Sequence, residues 1–252
     1  MRRLGLLCAM ALALAGSAAS QTRPKDWPLP PPRPPGLSDA PEAAPAPPAP
    51  EKPPEPGPPQ TASPAPPAAS CLAELAAAHI DVEPADPPPA PLDGCAIDTP
   101  VRLRGVTLAS GAALDFPARP LLDCRFAATF AGFVREVAAP LAEASLGSPV
   151  AALETGPGYE CRGRDRVAGA KVSEHGKGSA IDVAAFVLAD RRRIAVARQA
   201  DDREAAYVRT VRTAACGWFT TVLGPGSDPF HADHLHLDTL QHGSSDRYRI
   251  CE

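Results

Sequence analysis

The sequence predicts a mixed α+β domain preceded by a disordered, proline-rich segment, and three observations carry that reading. Strand-like and helix-like periodicities are interspersed from Cys71 onward without a regular βαβ alternation. No glycine-rich phosphate loop opens a helix, which points away from a nucleotide-binding fold. Residues 21–70 are dominated by proline, alanine, glutamate and glycine and hold too few large apolar side chains to offset ordering costs of ~1–2 kcal/mol per residue.

The N-terminus reads as a secretory signal over residues 1–20: Met1-Arg2-Arg3, an apolar run from Leu4 to Ala15, then small residues up to Ser20. The apolar run is shorter than the roughly 20 residues a membrane span needs, so membrane contact is expected only if this segment stays uncleaved. Cys8 is expected to leave with it. The domain is then periplasmic or extracellular and associated with the cell envelope. The stretch 21–70, with Pro30-Pro31-Pro32-Arg33-Pro34-Pro35 as its densest part, is a tether biased to polyproline II. At ~3.1 Å per residue where extended, it reaches on the order of 100 Å.

Six further cysteines (Cys71, Cys95, Cys124, Cys161, Cys216 and Cys251) are spread over residues 71–252. An even number in an exported chain argues for three disulfides, and the lack of any C-x-x-C pair argues against a cysteine zinc cluster or a redox motif. Sequence does not choose among the fifteen connectivities open to six cysteines; pairing in sequence order is the working expectation. A net charge of −4 and a pI near 5.9 leave no basic footprint for nucleic acid. Arg191-Arg192-Arg193 beside Asp190 reads as a solvated turn.

Along the domain, Leu72, Leu75 and Ile80 mark a short helix that breaks at Asp86-Pro87-Pro88-Pro89. Val101 to Leu108 alternates like a strand, with Gly105 at a bulge or break. Asp123 is a candidate N-cap for a helix whose Phe126, Phe130, Phe133, Val134, Val137 and Leu141 face the core, interrupted near Pro140. Val150–Leu153 and Ser179–Phe186 read as strands, Arg203–Cys216 as a helix, Trp218–Leu223 as a strand, and His234–Asp238 as the last strand.

Two segments hold the chemistry: Ser173 to Asp182 (SEHGKGSAID) and His231 to Asp238 (HADHLHLD). In the second, period-2 alternation puts His234, His236 and Asp238 on one face and Leu235 and Leu237 on the core face. In the first, Gly176 and Gly178 allow a reversal that lets His175 and Asp182 converge. Two histidines and an aspartate make a three-ligand site of the catalytic zinc type, with a fourth position open. The plainer alternative is a hairpin with a hydrogen-bonding Ser173 and a solvated aspartate. A Ser-His-Asp triad fits poorly, because no nucleophile elbow is present. Glu174 and Lys177 read as solvated turn residues.

With GYECR and the AAC ahead of the second segment, SEHGKGSAIDVAAF and VLGPGSDPFHADHLHLD resemble the extensin-like C-terminal domain family over residues 71–252. Similarity to plant extensins implies little beyond proline richness. The order of His, Asp seven residues on, and a later His-x-His also resembles zinc D-Ala-D-Ala peptidases and penicillin-insensitive murein endopeptidases. Their α+β fold, a mixed sheet with flanking helices, is shared with hedgehog signalling domains. That resemblance implies a hedgehog/DD-peptidase-like fold, with His175, Asp182 and His236 as Zn2+ ligands.

The resemblance further implies a proton-transfer group at Asp233, in the slot of a glutamate in one branch, or at His234, as in the endopeptidase branch. Arg162 lies near the place of an arginine facing the developing oxyanion; its alternative is a surface ion pair. The expected activity is amide hydrolysis in peptidoglycan or its peptide stems, and the alternative is a noncatalytic wall-binding or metal-binding module.

Overall fold

The computed structural model describes residues 68–167, 169–244 and 248–252. Residues 1–20, expected to be a secretory signal, and nearly all of the proline-rich stretch lie outside the described residues. Ala68, Ala69 and Ser70, read from sequence as the end of the tether, are already the first turn of helix α1 (Ala68–Ala77), which buries Cys71 and Leu75. That helix ends before Ile80: His79 takes a left-handed backbone (φ 54°), and Ile80 opens strand β1 (Ile80–Pro84).

β1 pairs antiparallel with β2 (Pro100–Thr107), and the register slips between Asp81 and Val82 so that Arg104 has no partner residue across the ladder. The bulge expected near Gly105 is therefore present, one residue earlier. Gly105 itself answers a different demand, since a Cβ there would stand 2.8 Å from the Leu114 carbonyl oxygen. β3 (Ala113–Asp115) and β4 (Leu121–Asp123) pair with separate stretches of β2.

Helix α2 (Cys124–Phe133) starts where Asp123 Oδ1 accepts from Arg125 N at 3.0 Å. It runs through a π-helical turn at Val134–Ala138 into α3 (Ala139–Leu146), with Pro140 in the first turn of α3. The wider turn lets the ring, which lacks an N–H, enter without breaking the helix. Phe126, Phe130 and Phe133 are buried as the periodicity predicts, and Phe133 packs edge-on to Phe219 at 5.4 Å between centroids.

After β5 (Val150–Thr155) comes β6 (Ala180–Leu188), which pairs with β5, with β7 (Arg193–Ala195) and with the last strand of the second motif. The arginine run is only partly the expected turn: Arg192 pairs with Asp190, whereas Arg193 belongs to β7 and pairs with Glu154. Helix α4 (Asp202–Ala215), capped by Asp201, packs Tyr207, Val208 and Val211 into the core. Trp218 and Phe219 are not strand but a turn continuing α4, both amides donating to the Ala215 carbonyl, so β8 is the shorter Thr221–Leu223. β9 (Leu235–Asp238) and β10 (Ile250–Cys251) complete the set.

Among the described residues these ten strands form one mixed sheet in the order β1-β2-β3-β5-β6-β9-β8-β10, with β4 and β7 off that path. β3–β5 and β8–β10 are parallel pairs, and the rest are antiparallel. The expectation of an α+β fold holds at this level. No helix of the described residues is long and apolar enough to cross a membrane.

All six cysteines of the domain are cross-linked: Cys216–Cys251 pairs in sequence order as expected, whereas Cys71–Cys124 and Cys95–Cys161 do not. The latter two interlace: β4 pairs with the start of β2 and leads directly into α2, whose first residue Cys124 bonds Cys71 of α1, while Cys95 of the loop before β2 bonds Cys161. Replacing Cys71 by Ser should lower stability by about 2–4 kcal/mol, through greater freedom of the unfolded chain, read as a shift of the urea midpoint. Non-reducing peptide mapping of the parent should join the Cys71 peptide to that of Cys124.

Candidate metal centre

The register of β6 against β9 sets Asp182 directly opposite His236, and Leu223 of β8 lies beyond His236 on the same sheet. Leu235 and Leu237 are buried on the core face, as the alternation predicts. His175 arrives on a 3-10 turn (Glu174–Lys177), the turn expected around Gly176 and Gly178, and not on the plainer hairpin. Ser173 caps that turn, its Oγ accepting from His175 N at 3.4 Å. Gly178 ends it in a left-handed conformation (φ 65°). Gly176 serves close packing instead, because a Cβ there would meet Val172 Cγ1 at 2.7 Å and Cys95 Sγ at 2.9 Å.

The three residues meet. His175 Nε2 is 3.2 Å from His236 Nδ1 and 3.3 Å from Asp182 Oδ1, and His236 Nδ1 is 3.1 Å from the same oxygen. Both imidazoles are buried. Each is held by its remote nitrogen: His175 Nδ1 donates to the Gly158 carbonyl at 2.7 Å, and His236 Nε2 donates to Asp238 Oδ2 at 2.9 Å. Those bonds fix the tautomers, so the two inward nitrogens present lone pairs to each other and to a carboxylate oxygen.

Lone pairs facing at this separation repel unless a cation lies among them. Ligand atoms at zinc bond lengths of about 2.0–2.1 Å in a tetrahedron lie roughly 3.3 Å apart, so the spacing and donor types fit zinc. The protein's own electrostatics answer the same demand with a proton. Burial disfavours a charged His236, but hydrogen bonds and charge from Asp182 and Asp238 outweigh it and raise the pKa to about 9. Burial likewise works against an ionised Asp182, yet His175 and His236 hold it far below the usual carboxylate range.

Asp182 and His236 line a cavity of about 430 Å³, while His175 is buried against them and is not part of its wall. His234 lines it from just before β9, with Nδ1 donating to Asp233 Oδ1 at 2.8 Å and Nε2 3.5 Å from Asp182 Oδ1. Asp233 is 79 % exposed and reaches the cluster through His234; it is not part of the cavity wall. Arg162 lines the cavity while its Nε donates to Glu160 Oε2 at 2.8 Å, so the ion pair and the cavity position are both present.

Glu174 is not a solvated turn residue. It is buried, pairing with Lys177 at 2.9 Å and accepting from Ser179 Oγ. Asp238 is buried too, and orients His236.

Sequence reading assigned no role to His231, which also lines the cavity. Its Nδ1 donates to Asp228 Oδ2 at 2.7 Å, and its ring lies 5.3 and 5.4 Å from those of His234 and His236. Asp228-Pro229 is the signal that could have found it, because an aspartate ahead of a first-turn proline caps a helical turn and lies three residues from His231.

A family model described as "Extensin-like protein C-terminus" matches residues 69–252. No curated protein and no solved structure matches the chain significantly.

Gly158 has a left-handed backbone (φ 79°), and a Cβ there would stand 2.5 Å from the Leu121 carbonyl oxygen. Gly158→Ala should therefore cost about 2–3 kcal/mol in chemical denaturation. It should also weaken the Nδ1–H signal of His175 in NMR, since the carbonyl that accepts this bond is displaced.

Proposed function

The chain belongs to the extensin-like protein C-terminus family, and from that membership and the His175–Asp182–His236 cluster we propose that it is an exported, zinc-dependent peptidoglycan hydrolase that cuts amide bonds in peptide stems or cross-links. One observation carries the reading: three lone-pair atoms from two histidines and an aspartate converge at 3.1–3.3 Å, with Asp182 and His236 on the wall of a cavity and His175 buried against them. The resemblance of the motif order to zinc D-Ala-D-Ala peptidases and murein endopeptidases, and so to the hedgehog/DD-peptidase fold, supports it. Three disulfides and the signal-like N-terminus support export, with residues 21–70 acting as a tether.

His175, Asp182 and His236 would hold the ion. Zinc there supplies Lewis-acid polarisation of an amide carbonyl and brings the pKa of a water near 7. The residues around it handle the protons. His234 donates through Nδ1 to Asp233, which leaves Nε2 as the basic atom facing the cavity; it takes a proton from the attacking water and returns it to the leaving amine. Asp233 positions that ring. His231, oriented by Asp228 in the same way, is the second imidazole in reach. Arg162, steadied by Glu160, offers its remaining N–H groups to the carbonyl oxygen as negative charge develops.

Purified, metal-analysed protein incubated with muropeptides tests this by mass spectrometry. New amine ends and about one zinc per chain are expected, both lost in His175→Ala. His234→Ala should keep the zinc and lose at least about 100-fold in turnover, and Asp233→Asn about 10-fold. A zinc-loaded sample that leaves every muropeptide intact would sink the hydrolase reading and leave a noncatalytic metal- or wall-binding module.

A further inference from the structure

Between β5 and the turn that carries His175, the chain forms a short hairpin. Ser173 N donates to the Arg162 carbonyl at 3.0 Å, Arg164 N donates to the Lys171 carbonyl at 2.9 Å, and Gly163 bridges to Val172. The Cys95–Cys161 disulfide fastens its base. Its inner turn is strained: Asp165 and Arg166 are consecutive non-glycine residues with left-handed backbones, φ 54° and 57°. The segment is also unusually charged. From Glu160 to Lys171 it carries four cationic side chains against two carboxylates, and Arg162, Arg164 and Arg166 all line the histidine cavity.

These arginines are not equivalent. Arg162 and Arg166 share Glu160, whereas among the described residues no carboxylate pairs with Arg164, which is exposed. The carboxylates elsewhere on the cavity wall are engaged: Asp182 and Asp238 by the cluster histidines, Asp228 by His231, and Glu174 by Lys177. Asp165 is the other lining charge without a partner among the described residues. The hairpin follows β5 in the chain, and Gly158 just ahead of it bridges to Leu121 of β4, while Leu223 and Ile250 line the cavity from β8 and β10, beyond β9. A ligand lying across the cluster thus meets a free guanidinium towards one end and apolar side chains towards the other.

We propose that Arg164 is the carboxylate-recognising residue of this cavity and that the ligand is a peptide with a free C-terminal carboxylate seated on the hairpin side of the histidine cluster. That the ligand is a peptide rests on the hydrolase reading; the preference for an anion rests on the hairpin. A guanidinium matches a carboxylate with two parallel N–H donors, which a lysine ammonium does not reproduce.

The test is calorimetric titration of the full chain, in a His234→Ala background so that the ligand survives. The probes are a synthetic stem tetrapeptide ending in D-alanine as the free acid and the same peptide ending in a carboxamide. The acid should bind at least about 10-fold more tightly than the amide. Arg164→Ala should erase the difference with an unchanged melting temperature, Arg164→Lys should retain part of it, and Asp165→Asn should favour the acid further.

Equal affinity for acid and amide overturns the inference and leaves the hydrolase reading standing wherever muropeptides are cleaved. A preference that survives Arg164→Ala also overturns it, placing the carboxylate elsewhere in the cavity. If neither peptide binds, the inference falls, and intact muropeptides in the parallel assay would take the hydrolase reading with it.

Discussion

One antiparallel register, Asp182 opposite His236 across β6 and β9, is the constraint on which the cavity depends. Side chains alternate with period two, so a slip of one residue would bring Leu235 or Leu237 to the cavity and drive His236 into the core. The two leucines, each 1 % exposed, resist that slip by their burial, which stabilises the native register by roughly 1.5–3 kcal/mol per side chain. The apolar face of β9 thus specifies where its polar face points.

The third member of the cluster comes from outside this ladder and is placed by a different set of forces. His175 sits on a turn with no cross-strand partner, and its position is set by Ser173, by the Gly158 carbonyl and by close packing of Gly176 against Cys95 and Val172. Because Cys95 is bonded to Cys161, the same disulfide touches the turn carrying His175 and fastens the arginine hairpin. Cluster and hairpin are therefore referenced to one covalent anchor, and their spacing does not depend on the conformational freedom of a long loop.

Much of this was legible in the sequence, and the failures have physical causes. Phe126, Phe130 and Phe133 announced a core-facing helix because burial of large rings at helical spacing leaves few alternatives. Leu235 and Leu237 gave the orientation of β9, and with it His236 and Asp238. Ile80 was misjudged because one left-handed residue, His79, ends a helix without altering the apolar pattern. Trp218 and Phe219 were misjudged because a buried turn of bulky residues looks like a strand when periodicity is short. The pairing of Cys71, Cys95, Cys124 and Cys161 and the burial of Glu174 depend on which loops meet in space, and the local pattern carries no record of that. His231 was overlooked for a related reason: its significance lies in Asp228, whose role as a cap is visible only once the turn is recognised.

The cluster is also a burden on the fold that contains it. Two buried imidazoles and a largely buried carboxylate at 3.1–3.3 Å need positive charge among them, a proton on His236 or a metal ion, and without it their lone pairs oppose one another. An apolar trio at these positions would fold with less conflict, as replacements of buried ionic groups by hydrophobic ones often do. The surrounding structure offsets the conflict with an aromatic core, three cross-links and hydrogen bonds that orient both rings from behind. Local physics is in conflict at the cluster and again at the Asp165–Arg166 turn beside the same cavity, while the sheet and helices that carry them pack in the ordinary way.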